Sequence, residues 1–181
     1  GKEIHCKSPH EAIELGIALI SENRKEEGIL PNFDNKDNIS LASMKKYMSG
    51  IVINDDKKKR NALEKGKQVG LKPNDPAFMT VSLSGGNAQK VILARWMSTD
   101  ATVMIFDEPT KGIDIGAKAD IYLLMEKMAA EGIAIIMVSS ELTEVMGMSD
   151  RILVMSDGKI TGELMKDEFS EESILNYTVE E

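Results

Sequence analysis

The chain has 181 residues, 42% of them hydrophobic and 29% charged, with only five Pro. That composition suits one folded domain, or a lobe with a small subdomain, and excludes both two large domains and a disordered polymer. A formal net charge of -8 excludes a general nucleic-acid binder, whose partner phosphates require a basic surface.

The single Cys6 excludes an internal disulfide, and no clustered Cys or His spells a zinc site, which fits a reducing cytoplasm. The longest apolar runs, such as Ile133 to Val138, fall far short of the roughly 20 residues of a membrane helix. No signal-peptide pattern opens the chain. Gly1-Lys2-Glu3-Ile4 reads as the tail of a hairpin rather than a translation start, and a fragment boundary is expected there.

Ser8 followed by Pro9 has the chemistry of an N-cap and a first helical position, opening a helix through Glu11 to Leu15 that stops at Gly16. The apolar run Ile17 to Ile20 predicts a buried strand, and the polar stretch Ser21 to Asn38 predicts a loop. From Ile39 to Met97 the pattern is helical and polar, the look of a small helical subdomain. It contains a segment over Leu41 to Tyr47, a loop from Gly50 to Asp56 and a helix from Lys57 to about Val69. Lys57-Lys58-Lys59-Arg60 reads as the solvated face of that helix, because no aromatic residues interleave it as a nucleic-acid contact would require. Pro73 and Pro76 then break the helical pattern.

After Asp100 strand and helix alternate: Val103 to Phe106, Ile115 to Ala130, Ile133 to Val138, Leu142 to Met146, and Ile152 to Met155. Such alternation predicts an α/β fold with a mostly parallel sheet. Ser156-Asp157-Gly158-Lys159 predicts a hairpin turn, and Ser170 to Tyr177 a terminal helix.

Two segments carry chemistry. In Leu83-Ser84-Gly85-Gly86-Asn87-Ala88-Gln89-Lys90, two glycines at a helix start leave backbone N–H groups uncovered, and the helix dipole adds partial positive charge. An anion is welcome there, although Ser-Gly-Gly alone reads better as a plain helix cap with no ligand. Downstream, Thr102 to Phe106 is an apolar strand ending in Asp107, Glu108 and Pro109. Two acids at the end of a buried strand are costly unless something positive sits beside them. In phosphoryl-transfer ATPases the first acid supports Mg²⁺, usually through water, and the second orients the attacking water.

Leu83 to Lys90 resembles the signature motif of ATP-binding cassette (ABC) ATPases, and Val103 to Glu108 resembles their Walker B strand, in the family's order and spacing. Gly112-Ile113-Asp114 resembles the D-loop, and Met148 to Gly158 the terminal hairpin of the cassette. Finer text, Glu22 to Gly28, Asp114 to Lys118, Ile121-Tyr122 and Val138 to Leu142, resembles the second, C-terminal cassette of bacterial importers for ribose, galactose and xylose. The resemblance implies a partial P-loop NTPase (RecA-like) lobe, residues 17–38 and 98–181, carrying an ABC helical subdomain over 39–97. It also implies ATP and Mg²⁺ as cofactors. Glu108 would be catalytic and Asp107 would meet Mg²⁺ through water. Ser84, Gly85, Gly86, Asn87, Glu22, Asp114 and Ser140 would bind nucleotide.

The implied partners are a second cassette, on the same polypeptide in the family, transmembrane permease subunits, and indirectly a sugar-binding protein. The implied location is peripheral, at the inner face of the cell membrane.

Three departures from the family pattern stand out. No Gly-x-x-x-x-Gly-Lys-Ser/Thr loop occurs in the chain, so the phosphate cradle that the family carries N-terminal to this segment is missing. Glu22 stands where most ABC proteins have a glutamine. Ser140 stands where they have a histidine, whose reach a serine lacks. These departures leave a catalytically degenerate dimerisation module as a competing reading. A chromosome-maintenance or translation-type ABC ATPase is disfavoured by the short stretch between Glu22 and Leu83, which has no room for coiled-coil arms. His5 and His10 read as surface residues, Met125, Met128 and Met137 as packing, and Trp96 as a core anchor or a transporter contact.

Overall fold

The computed structural model describes residues 3–178, with the side chain of residue 25 left aside; the first two residues of the expected hairpin tail lie outside the described residues. The chain divides into two compact units, with the boundary after Ile136.

The first unit opens with α1 (Pro9–Glu14), where Ser8 Oγ accepts from the Glu11 N–H at 3.2 Å and Pro9 occupies the first turn. Gly16 ends it at φ +80°, and β1 (Ile17–Ile20) follows. The stretch expected as a loop to Asn38 is more ordered than that. A five-residue π-helical turn covers Arg24–Gly28, and α2 (Asn35–Ser40) begins where Asp34 Oδ1 accepts from the Asp37 N–H at 2.8 Å. Its inward residues Asn35 and Asn38 are polar, so no apolar period announces the helix.

A 3₁₀ segment (Leu41–Tyr47) leads into a small antiparallel hairpin, β2 (Met48–Ser49) and β3 (Val52–Ile53), whose tip residue Ile51 is 96% exposed. Next, α3 (Asp55–Gln68) starts two residues before the sequence reading because Asn54 Oδ1 caps the Lys57 N–H at 2.9 Å. The basic run on α3 is not uniformly solvated: Lys58 is buried against Asp37. Burying that ammonium is tolerable because the carboxylate meets it.

Helix α4 (Gly85–Met97) is the spine of this unit, with Val91, Ile92, Leu93 and Ala94 all buried and with α2 and α3 packed on it. Asn38 ties the region together. Its Oδ1 accepts from the Leu30 N–H at 2.8 Å and from Arg95 Nη2 at 3.0 Å, while its backbone carbonyl accepts from Arg95 Nε at 2.7 Å. Burial pushes the Arg95 guanidinium down to about 10.

β4 (Val103–Asp107), α5 (Ile115–Ala130) and β5 (Ala134–Val138) follow, giving a three-stranded sheet in the order β1-β4-β5. β1 and β4 run parallel, with Ile17 opposite Val103 and Ile20 opposite Phe106. Ala18, Ile20, Met104 and Phe106 are buried on one face, while Leu19 on the other remains 53% exposed. Met125 and Met128 of α5 are core residues. Trp96 is half-buried at a cavity of about 200 Å³ lined by Met97, Met104, Met128 and Ile133.

The second unit contains α6 (Leu142–Met148), the antiparallel pair β6 (Arg151–Ser156) and β7 (Lys159–Met165), and α7 (Glu171–Asn176). Asp157 and Gly158 sit at φ +48° and +76°, the left-handed pair that a two-residue type I′ hairpin requires. Ile152 to Met155 therefore belongs to this hairpin and not to the parallel sheet. Ile152, Val154, Leu164 and Ile174 form its core, with Leu142, Val145, Met146 and Phe169 against them. Fully burying each such side chain is worth about 1.5–3 kcal/mol.

Candidate functional site

Parallel pairing of β1 and β4 sends the residues after both strands out at the same end. Glu22 lies two positions beyond Ile20. Asp107 is the last residue of β4, and Glu108 follows with φ +46°, in the left-handed region. Pro109 and Thr110, next in the chain, are buried. Sequence reasoning did not single out the residue that joins the two strand ends, Lys111. Its Nζ lies 2.6 Å from Glu22 Oε1, a contact across 89 positions. The bond to Glu22 holds the Lys111 ammonium above its ordinary pKa, and the charges of Glu22, Glu108 and Asp107 add to that. A lone lysine three residues after an acid pair was the only signal in the sequence, and it is a weak one.

Arg24 forms a second link at this end. Its Nη2 donates to the Lys111 carbonyl, and a Cβ added to Gly112 would lie 3.4 Å from that nitrogen. A Cβ on Gly85 would lie 3.9 Å from Nη1. The guanidinium thus reaches the Arg24–Gly28 turn, the loop after β4 and the start of α4 at once. Burial holds its pKa below the ordinary value.

Ser84 is the N-cap of α4. Its Oγ accepts from the Asn87 N–H at 3.4 Å and from Asn87 Nδ2 at 3.1 Å, while Asn87 Oδ1 accepts from the Lys72 N–H at 2.8 Å. The two glycines differ. A Cβ on Gly86 would approach the Ala117 Cβ to 2.7 Å, so the close crossing of α4 and α5 requires glycine there; at Gly85 the nearest atom is 3.6 Å away. Asp114 caps α5 by accepting from the Ala117 N–H at 2.9 Å.

Ser84, Gly86, Asn87 and Asp114 line a common groove of about 690 Å³, and Lys67, Lys72 and Lys127 line it too. Lys90, also on its wall, is engaged by Asp120 at 2.6 Å. A helix start and several ammonium groups make this groove suited to an anion.

Ser140 lies in the second unit, in the turn before α6. That turn is organised by Ser139, whose Oγ donates to the buried Glu144 and accepts from the Glu141 N–H at 3.1 Å. The expected residues therefore fall into a strand-end set (Glu22, Asp107, Glu108), a helix-start set (Ser84, Gly85, Gly86, Asn87, Asp114), and Ser140 in the other unit.

Among the described residues, no group of three or more His, Cys, Asp or Glu side chains converges to hold a metal ion. The strand-end set offers hard carboxylate oxygens. That fits Mg²⁺, which is commonly held by one or two carboxylates, waters and substrate phosphates rather than by a closed protein cage. His5 and His10 are exposed, each beside a glutamate at 3.4 Å. Among the described residues no helix is long and apolar enough to cross a membrane.

Known proteins resemble the chain over nearly its whole length. It is 48% identical over 180 residues to an arabinose import ATP-binding protein of Pseudomonas syringae, covering 99% of this chain and 36% of the relative. It is 45% identical over 181 residues to a xylose import ATP-binding protein of Photobacterium profundum, covering 100% and 36%. A ribose import ATP-binding protein of Halalkalibacterium halodurans is 43% identical over 177 residues, covering 98% and 36%. The chain thus spans about a third of the length of these curated relatives.

Among solved structures, the ATP-binding cassette MJ1267 in its ADP conformation superposes with a TM-score of 0.78 at 21% identity, covering 97% of this chain and 73% of that one. The cassette MJ0796 bound to ADP and Pi superposes with a TM-score of 0.73 at 21% identity, covering 90% and 69%. These likenesses establish the cassette fold, a parallel-sheet α/β lobe with a helical part. The family described as ABC transporter matches residues 2–111, and with the sheet, the acid-ended strand and the serine-capped helix described above, the chain belongs to the ABC transporter family.

Proposed function

We propose that the chain is the C-terminal part of the ATP-hydrolysing subunit that energises import of a monosaccharide or a similar small solute. The observation that carries this reading is the presence of two half-sites of opposite character: carboxylates at the joined ends of β1 and β4, and a capped helix start with lysines at the groove beside α4. Neither half encloses a nucleotide alone. Each is what one side of a composite nucleotide site needs.

In this reading Glu108 orients and activates the attacking water, and Asp107 supports Mg²⁺ through water, with Glu22 at the same end. Mg²⁺, when bound, supplies charge neutralisation for the phosphates. Ser84, Gly85, Gly86 and Asn87, with Asp114, act on a nucleotide held by the phosphate loop of a second cassette. The helical subdomain is assigned to residues 39–97, supported by the packing of α2 and α3 on α4, and residues 17–38 and 98–181 to the core lobe. The sugar class rests on the relatives, which by name import arabinose, xylose and ribose. Permease subunits, and through them a sugar-binding protein, are the partners such importers need, and the location is the cytoplasmic face of the membrane.

The departures divide unevenly. With glutamate for glutamine at position 22 and serine for histidine at position 140, the site using Asp107, Glu108 and Glu22 turns over slowly; the site using Ser84, Gly85 and Gly86 is unimpaired. ATP hydrolysis by the full-length protein with its membrane partners tests this, comparing Ser84→Arg with Glu108→Gln. Near-complete loss in the first and substantial retention in the second is expected. Equal losses would overturn the asymmetry, and no ATP hydrolysis by the unsubstituted protein would overturn the function.

One observation favours a second reading, a degenerate module kept for dimerisation and coupling: Glu22 is already engaged by Lys111 at 2.6 Å. Under that reading, Glu108→Gln leaves turnover wholly unchanged.

A further inference from the structure

Among the described residues, two buried side-chain polar atoms find no hydrogen-bond partner, Arg24 Nη1 and Gln89 Oε1. One is a donor and the other an acceptor. They also face the same interface. At about 100° per residue, Gly85, Gln89 and Ile92 fall within about 60° of one another around α4. That stripe rests on the Arg24–Gly28 turn: a Cβ built on Gly28 would meet Ile92 Cδ1 at 2.5 Å, and Arg24 Nη1 lies 3.9 Å from the Cβ position of Gly85. Gln89, one turn beyond Gly85, is 1% exposed. Water therefore does not satisfy its carbonyl from outside, and leaving both atoms unpaired is the costly arrangement.

We propose that Arg24 is a positioning residue that ties the two strand ends to the first turns of α4, with Gln89 as its second anchor. Nη2 keeps its bond to the Lys111 carbonyl, and a small rotation of the guanidinium lets Nη1 donate to Gln89 Oε1. A planar fork is suited to this because its two arms diverge at fixed geometry, which a single ammonium does not provide. Arg24 lies two residues after Glu22, and Lys111 three residues after Glu108. The guanidinium therefore fixes the distance between the acid end of the sheet and the Ser84 cap of α4. It touches no reacting atom. Its importance for turnover rests on the proposed ATPase function, whereas the Arg24–Gln89 tie itself does not.

Hydrogen–deuterium exchange on the full-length polypeptide without nucleotide tests the tie, using the nearly isosteric Gln89→Glu in two backgrounds. With Arg24 present, the new carboxylate pairs with the guanidinium, and amide exchange over residues 24–28 slows by about tenfold, the size expected of one hydrogen bond to a charged group. With Arg24→Met the same change buries an unpaired carboxylate, and exchange speeds up. Identical effects in both backgrounds would mean that the two side chains never meet, overturning the proposal. Should Arg24→Met fail to fold, Arg24→Lys serves as the second background: an ammonium spanning only one anchor removes most of the slowing, and an undiminished slowing overturns the proposal.

Turnover then separates positioning from mere support. Arg24→Lys is expected to lower kcat about tenfold with KM unchanged, and an unchanged kcat overturns the positioning role. Absence of ATP turnover in the unsubstituted protein would count against the ATPase function, leaving the exchange result to judge the tie.

Discussion

The acid end of the sheet and the start of α4 are built in opposite ways. At the sheet end, charge is carried by flexible side chains, Glu22, Asp107, Glu108 and Lys111, and the pair formed there is largely exposed. At the helix start, the chemistry is carried by the backbone and its cap, and geometry is fixed by glycine: Gly86 has no room for a Cβ against Ala117. The difference teaches where each region tolerates change. Side-chain chemistry on an exposed loop can be altered with little effect on folding, whereas a helix start wedged against a second helix cannot.

The largest expected effect tests that contrast in function. Ser84→Arg removes the cap and fills the groove, and ATP turnover by the full-length protein should fall roughly 10²- to 10³-fold, the usual cost of losing an oriented donor at a developing charge. Glu108→Gln should leave most of the turnover. A steady-state ATPase assay with both variants decides, and equal losses would erase the functional difference between the two regions.

The second test separates the glycines by stability. Gly86→Ala should destabilise by about 1–3 kcal/mol through overpacking between α4 and α5. Gly85→Ala, where the nearest atom is 3.6 Å away, should be neutral or stabilise by about 0.4–1 kcal/mol by restricting the unfolded chain. Urea denaturation of both variants reads the difference. If Gly85→Ala were the more damaging, the wedge would lie in the wrong turn.

The smallest effect concerns Lys111. Its pKa is raised above 10.5 by Glu22, so the contribution of the pair is fully present below that ordinary value and disappears as pH climbs through the raised one. The stability difference between the wild type and Lys111→Met should therefore be small near neutral pH, shrink with salt, and vanish at strongly alkaline pH. A difference that grew with pH would show that Lys111 acts through something other than its charge.

The sequence made local chemistry legible and long-range chemistry opaque. Ser8 and Ser84 were readable because an N-cap reaches only three residues ahead, and the bonds to Glu11 and Asn87 form; the cap that Asp114 places on Ala117 was not singled out. β1, β4 and α5 followed from uninterrupted patterning, and the second-unit hairpin from Asp157-Gly158. α2 was missed because Asn35 and Asn38 face inward, and polar residues break the hydrophobic period that marks a helix. Lys58 was read as solvated because its partner, Asp37, lies on another helix. At the candidate site, the acids and the cap were legible as residue types. The pairing of Glu22 with Lys111 and of Arg24 with the Lys111 carbonyl was not, since separations of 89 and 87 positions leave no periodic trace.

Glu108 occupies a backbone conformation, φ +46°, that residues with a side chain seldom adopt. Folding alone would favour another residue there, with Gly or Asn relieving about 1 kcal/mol of conformational cost. A population of this protein evolved under heat, with no demand for the proposed ATP turnover, should therefore drift away from glutamate at this position. Survival of the carboxylate under such selection would mean that it serves the fold. Its loss would mean that only the chemistry keeps it.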